Sequence, residues 1–220
     1  MYYITTYSYL ILPLAFLLLK CKLKDRGPVV IALYGIICFL CLSIYYDLSK
    51  DAKRYFQPSY TFLEYIFFTY IFWFNAKNKL FKAFIIIASA LFFVFQIIFA
   101  IYTPKRRLDS IPIGIETILL FVFVFYFFYE FSKQVKDTFI YNHYTFWFAV
   151  GILIYLGGSF FFYILINELD TNQVENFGNF TYIAEIIKNI LFAFSIFMFK
   201  KHPVNKTHNP SKNIPNLDMI

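Results

Sequence analysis

Apolar residues run along this chain in seven long blocks, at roughly 3–19, 28–48, 59–75, 80–102, 111–131, 146–167 and 180–199, separated by short stretches that carry most of the charge. Each block is close to the ~20 residues a helix needs to cross about 30 Å of hydrocarbon. In hydrocarbon a lone segment must satisfy its own backbone hydrogen bonds, and a helix does so. The pattern predicts an all-α, polytopic membrane protein with seven transmembrane helices over residues 1–199. The tail, 200–220, holds three prolines and several Asn and Lys, a composition that buries no core; it reads as a disordered cytoplasmic segment. No Lys or Arg precedes the first block, while Lys20, Lys22 and Lys24 follow it, so it reads as a retained span rather than a cleaved leader.

Composition narrows the classes further. The 220 residues are 60% hydrophobic, 24% aromatic and 15% charged, against about 45–50% apolar and about 25% charged in soluble domains. Seven spans leave no room for an attached kinase, cyclase or nucleic-acid-binding domain, each of which needs on the order of 100 residues. Abundant Phe, Tyr, Ile, Lys and Asn is what AT-rich codons yield, which points to a low-GC bacterium and to its inner membrane. The net charge of +7 is explained by basic loops that hold helices in orientation, so nucleic acid is not implied as a partner.

Counting Lys and Arg loop by loop sets that orientation. Thirteen lie after the first, third and fifth helices and in the tail; six lie on the other side, at 50, 53, 54 and 105–107. The richer side faces the cytoplasm, which puts the N-terminus out and the C-terminus in. The segment 167–180, with three acidic residues and no basic one, agrees.

Polar residues inside the blocks are the candidate chemistry. Each odd helix after the first carries a glutamate beyond its outer end: Glu64, Glu116 and Glu185. The even helices place Ser43, Gln96 and Ser159 some 20–26 residues earlier, about the return distance of a helical hairpin. This suggests three diverged two-helix repeats after a leading helix. In the seventh helix, 100° per residue sets Lys188 and Asn189 to either side of Glu185, making one polar face. An intramembrane charge costs about 2.5–3.5 kcal/mol at a helix centre and turns toward a partner or a wet cavity, so these residues are expected to share an outward-facing hollow, with Lys188 paired to Glu185, Glu64 or Glu116. The competing reading makes Thr61-Phe-Leu-Glu64 a capping box at a helix start and treats the buried charges as structural glue.

Enzyme signatures are absent: the histidines, His143, His202 and His208, all lie outside the apolar blocks, so no haem pair, serine dyad or three-His metal site assembles within them. The three cysteines lack disulfide or zinc spacing. No catalytic residue, metal or cofactor is assigned. A lysine in the last helix invites a retinal Schiff-base reading, but Glu185 stands three residues before it where rhodopsins place the acid four before, and the third helix lacks their spaced second acid.

Phe146-Trp-Phe-Ala-Val-Gly-Ile-Leu-Ile-Tyr-Leu-Gly-Gly-Ser-Phe-Phe, followed by Ile186-Ile-Lys-Asn-Ile-Leu-Phe-Ala-Phe, resembles a group of uncharacterised seven-helix bacterial membrane proteins associated with neighbouring or fused histidine-kinase genes. The likeness covers mainly the last three helices. It implies a sensory or signalling module whose output passes to a separate partner, a histidine kinase or another membrane signalling protein. The alternative is a small-solute or ion carrier or channel. The nearly apolar inner halves, such as 119–128 and 191–199, favour the sensor.

Overall fold

The computed structural model describes residues 1–102, 110–134, 140–165 and 171–202, and the described residues are helical with short turns. The helices are α1 (Tyr2–Ser8), α2 (Ile11–Leu18), α3 (Arg26–Asp47), α4 (Lys50–Asn75), α5 (Lys79–Tyr102), α6 (Ser110–Gln134), α7 (Tyr144–Leu165) and α8 (Thr171–Lys201). Among the described residues, four segments are long and apolar enough to cross a membrane: Arg26–Tyr45, Lys79–Phe99, Ile111–Lys133 and Phe177–Lys201. Tyr2–Leu18 and Tyr144–Phe160 are shorter apolar helices. The basic loop, over 103–109, and the tail beyond 202 lie outside the described residues.

The first apolar block is broken into α1 and α2. Pro13 has no N–H to give the Tyr9 carbonyl, which instead accepts the Leu12 N–H at 3.2 Å, three residues on. Two helices begin earlier than their apolar blocks. Ser49 caps α4, its hydroxyl accepting the Ala52 N–H at 3.3 Å, and the charged turns that follow are helical although not apolar. Glu64 therefore sits in mid-helix, and the capping-box reading of Thr61 is overturned. Similarly, α8 starts at Thr171, so the acidic stretch before Phe180 is partly helical rather than loop.

Packing makes α4 central: it touches α3, α5, α6 and α7. The first rod, α1 with α2, lies against α3 and α8, while α7 and α8 share the most extensive contact. α5 packs on α4 and α6. Two close approaches depend on glycine. A Cβ at Gly35 would stand 2.7 Å from the Tyr9 carbonyl oxygen and 2.8 Å from Leu12 Cβ, so α3 lies directly against the break in the first rod. A Cβ at Gly158 would stand 2.7 Å from Ala184 Cβ, which lets α7 approach α8 one residue before Glu185.

Aromatic rings fill the middle of the bundle. Phe148 and Phe192 stack with centroids 4.4 Å apart, Phe68 meets Phe192 edge-on at 5.7 Å, and Phe72 bridges Phe148 and Phe127 at 5.9 Å each. All five are buried. At the end away from the N-terminus, the Glu130 carboxylate accepts backbone N–H bonds from Lys77 at 3.2 Å and Asn78 at 2.7 Å, tying the turn between α4 and α5 to α6.

Candidate functional site: an acidic cavity above a caged lysine

The middle of α8 brings Glu185 and Lys188 into the bundle on one face, and α4 brings Glu64 against them. Lys188 is fully buried. Its Nζ lies 3.0 Å from Glu64 Oε1, 2.7 Å from the Tyr34 hydroxyl and 3.2 Å from the Tyr9 hydroxyl. Of the three acids open to it in the sequence, the structure pairs Lys188 with Glu64. The Tyr34 hydroxyl also donates to Glu64 Oε1, and Tyr155 donates to the other oxygen at 3.1 Å. The ammonium further lies 4.0 Å from the centre of the Tyr155 ring and 5.1–5.7 Å from those of Tyr9, Tyr34 and Phe68. This cage of one carboxylate and four aromatic faces replaces the water a buried lysine has lost.

Tyr9 joins the cage to Glu185. Its hydroxyl donates to Glu185 Oε1 and lies 3.2 Å from the Tyr60 hydroxyl. It reaches them from the break between α1 and α2, the point that Gly35 allows α3 to approach. Five rods thus meet in one hydrogen-bonded network. The tyrosines Tyr9, Tyr34 and Tyr155 were not singled out by sequence reasoning, because in a chain with 19 tyrosines no single one stands out.

Above this network lies a partly open cavity of about 620 Å³. Its walls come from the start of α1, the end of α3, the starts of α4, α6 and α8, and the end of α7, which are all at one end of the bundle. Glu64, Glu116 and Glu185 line it together. Glu64 forms the shared floor with the lysine cage. Glu116 is 6% exposed and makes no hydrogen bond or ion pair with the described residues. Thr181 also lines the cavity but donates to the Gly178 carbonyl at 2.8 Å. Among the described lining residues there is no Lys, Arg or His side chain.

The other candidates fall elsewhere. Ser43 is exposed on α3, with its hydroxyl spent on the Phe39 carbonyl at 2.8 Å. Gln96 is buried on α5, outside the cavity lining, and its Nε2 has no partner among the described residues. Ser159 is buried and donates to the Tyr155 carbonyl at 2.6 Å. Matching depth along a hairpin fixes height but not rotation, so although α3 with α4, α5 with α6 and α7 with α8 do pack together, none of the three proposed partners of the glutamates lines the cavity. Asn189 lies beside the cage, fully buried, donating to Ser8 Oγ at 2.7 Å and leaving its Oδ1 unpartnered. Among the described residues no set of three His, Cys, Asp or Glu side chains is placed to hold a metal ion. No protein-family model, no curated protein and no solved structure matches this chain.

Proposed function

We propose that this chain is a bacterial membrane receptor: a seven-span bundle of the inner membrane that binds a small ligand, ion or proton in the acidic cavity and passes a helix shift to a separate signalling protein. On this reading the N-terminus is outside, the cavity faces out, and the basic end with the tail 200–220 faces the cytoplasm and a partner such as a histidine kinase. The observation that carries it is the convergence of Glu64, Glu116 and Glu185, from three helices, on one cavity. Below that cavity the network spans five rods, so a change in the charge of Glu185 alters the hold of α8 on Tyr9 and hence on α1 and α3.

The carrier or channel reading needs a polar path to the other end. Under the cage the bundle holds Phe68, Phe72, Phe148 and Phe192, packed ring on ring, and unpaired charge does not cross such a layer cheaply. A receptor needs two states a few kcal/mol apart, biased by about 1–3 kcal/mol at the site.

The test uses purified full-length protein in liposomes. Spin labels on cysteines placed at Lys133 and Lys201, both exposed at the basic end, report inter-helix distance, and dye assays report flux of protons, Na⁺ and K⁺. Glu185→Gln and Glu116→Gln are expected to change the distance distribution at the far end without any flux. Robust ion uptake that Glu185→Gln abolishes would replace the receptor with a carrier.

A further inference from the structure

We infer that the cavity takes a small organic ammonium ion, held by Glu116 and Glu185 against tyrosine and phenylalanine rings. The inference rests on the receptor reading above and names its ligand class.

Charge is the first argument. Three carboxylates line the cavity, and Lys188 is enclosed below it, committed to Glu64, Tyr34 and Tyr9, while Lys53 stands outside the lining, 5.1 Å over the Tyr45 ring. Glu64 is neutralised by Lys188, while Glu185 has a tyrosine hydroxyl and Glu116 has no partner among the described residues. A carboxyl that is nine-tenths buried, lines a cavity and lacks any donor among the described residues is completed by a cation or a donor arriving from outside. No basic side chain of the described lining would receive an anion.

Size and wall chemistry select the kind of cation. A bare metal ion needs several oxygens within about 2.0–2.6 Å, and the described carboxylates are not arranged that way. The volume, about 620 Å³, falls among small-molecule sites, about 300–1,000 Å³. Phe56, Tyr60, Tyr155 and Phe162 stand in the walls, and aromatic faces attract ammonium groups while accommodating their carbon substituents. The same molecule already holds one ammonium this way, since Lys188 sits between Glu64 and the faces of Tyr9, Tyr34, Phe68 and Tyr155. Tyr155 and Glu64 belong to both the cage and the cavity. The ammonium arrives either on a free amine or on the headgroup of an ethanolamine lipid.

The experiment compares three probes of one shape on the full chain in nanodiscs made of phosphatidylglycerol alone: phenethylamine, 2-phenylethanol and phenylacetate, cationic, neutral and anionic at pH 7. Phenethylamine is expected to raise the melting temperature in a concentration-dependent way and to bind at least tenfold more tightly than the other two. Glu116→Gln, which keeps the side-chain shape, is expected to weaken phenethylamine at least tenfold and to leave 2-phenylethanol unchanged. Ser43→Ala, outside the cavity, is the control for general effects, and Glu185→Gln repeats the test should Glu116→Gln not fold. In nanodiscs containing phosphatidylethanolamine, stabilisation without added amine, lost in Glu116→Gln, assigns the ammonium to the lipid; unchanged phenethylamine binding there assigns it to a free amine. Equal binding of the three probes, or tighter binding of phenylacetate, overturns the ammonium assignment and leaves the receptor reading standing. Tight binding of phenethylamine followed by its uptake into liposomes does the reverse.

Discussion

The Nζ of Lys188 and Oε1 of Glu64 lie 3.0 Å apart with both side chains almost wholly out of water. Removing one member of such a pair strands the other, at about 3–5 kcal/mol, whereas removing both charges together costs far less. Lys188→Met is therefore expected to lower unfolding stability by about 3–5 kcal/mol, and the double variant Lys188→Met with Glu64→Gln to recover more than half of the loss. Denaturant titration in detergent measures both. A double variant no more stable than Lys188→Met would show that the cage, not the ion pair, carries the energy.

Two glycines make opposite predictions. Gly35→Ala drives a methyl group to 2.7 Å from the Tyr9 carbonyl, which belongs to the backbone and cannot swing aside. It is expected to destabilise by about 1–3 kcal/mol and to weaken ligand binding in the cavity, because Tyr9 carries the bond to Glu185. Gly157→Ala meets nothing within 4 Å and is expected to be neutral or to stabilise by up to about 1 kcal/mol through helix propensity. Thermal unfolding of the two variants separates them, and equal losses would mean that α3 does not rest on the break in the first rod.

Orientation follows from the distribution of Lys and Arg. In a background with Cys21, Cys38 and Cys41 replaced by Ser, a cysteine at Asn179, exposed at the cavity end, is expected to react with a membrane-impermeant maleimide in intact cells. A cysteine at Lys201, exposed at the basic end, is expected to react only after lysis. The opposite result turns the bundle over and makes the cavity cytoplasmic.

His143, in the turn before α7, supplies a pH dependence. Burial, reinforced by the charge of Lys77, lowers its pKa from 6.5 to about 4, and its Nδ1 has no partner among the described residues. The unfolded imidazole takes a proton near pH 6.5, and the folded one only near pH 4. The unfolded state thus binds more protons between those values, so this contribution to stability is fully present above pH 6.5 and lost as the pH falls through the window, at about 1.4 kcal/mol per unit of separation. His143→Phe, which keeps the ring against Phe131, is expected to flatten the melting temperature between pH 6.5 and 4. A variant that follows the same curve as the parent would place the titration elsewhere.

Much of the helix pattern was legible because hydrocarbon demands apolar side chains, and 28–48 and 80–102 coincide closely with α3 and α5. Helix ends were legible only where polarity and helix end together. α4 begins nine residues of mostly polar sequence before its apolar block, since Ser49 caps it and helical hydrogen bonding is indifferent to whether a side chain is apolar. At the site, charge was informative: Glu64, Glu116, Glu185 and Lys188 are rare enough in apolar surroundings to be noticed. Ser43, Gln96 and Ser159 were placed by height alone, and the rotation of each helix decided against them. The tyrosine hydroxyls that complete the network come from α3, α4, α7 and the break in the first rod, a convergence that no local pattern records.

The aromatic layer under Lys188 also has an electrical meaning. If the cavity faces out, as proposed, it carries the outer potential down to Glu64, and the voltage then falls across the dry rings from Phe68 to Phe127. At about 2.3 kcal/mol per elementary charge per 100 mV, a cation that halts beside Glu116 traverses almost none of that drop. Its binding is then insensitive to membrane voltage, while the Lys188–Glu64 dipole sits at the edge of the steepest field, where a small tilt of α8 moves charge without moving any ion through the protein.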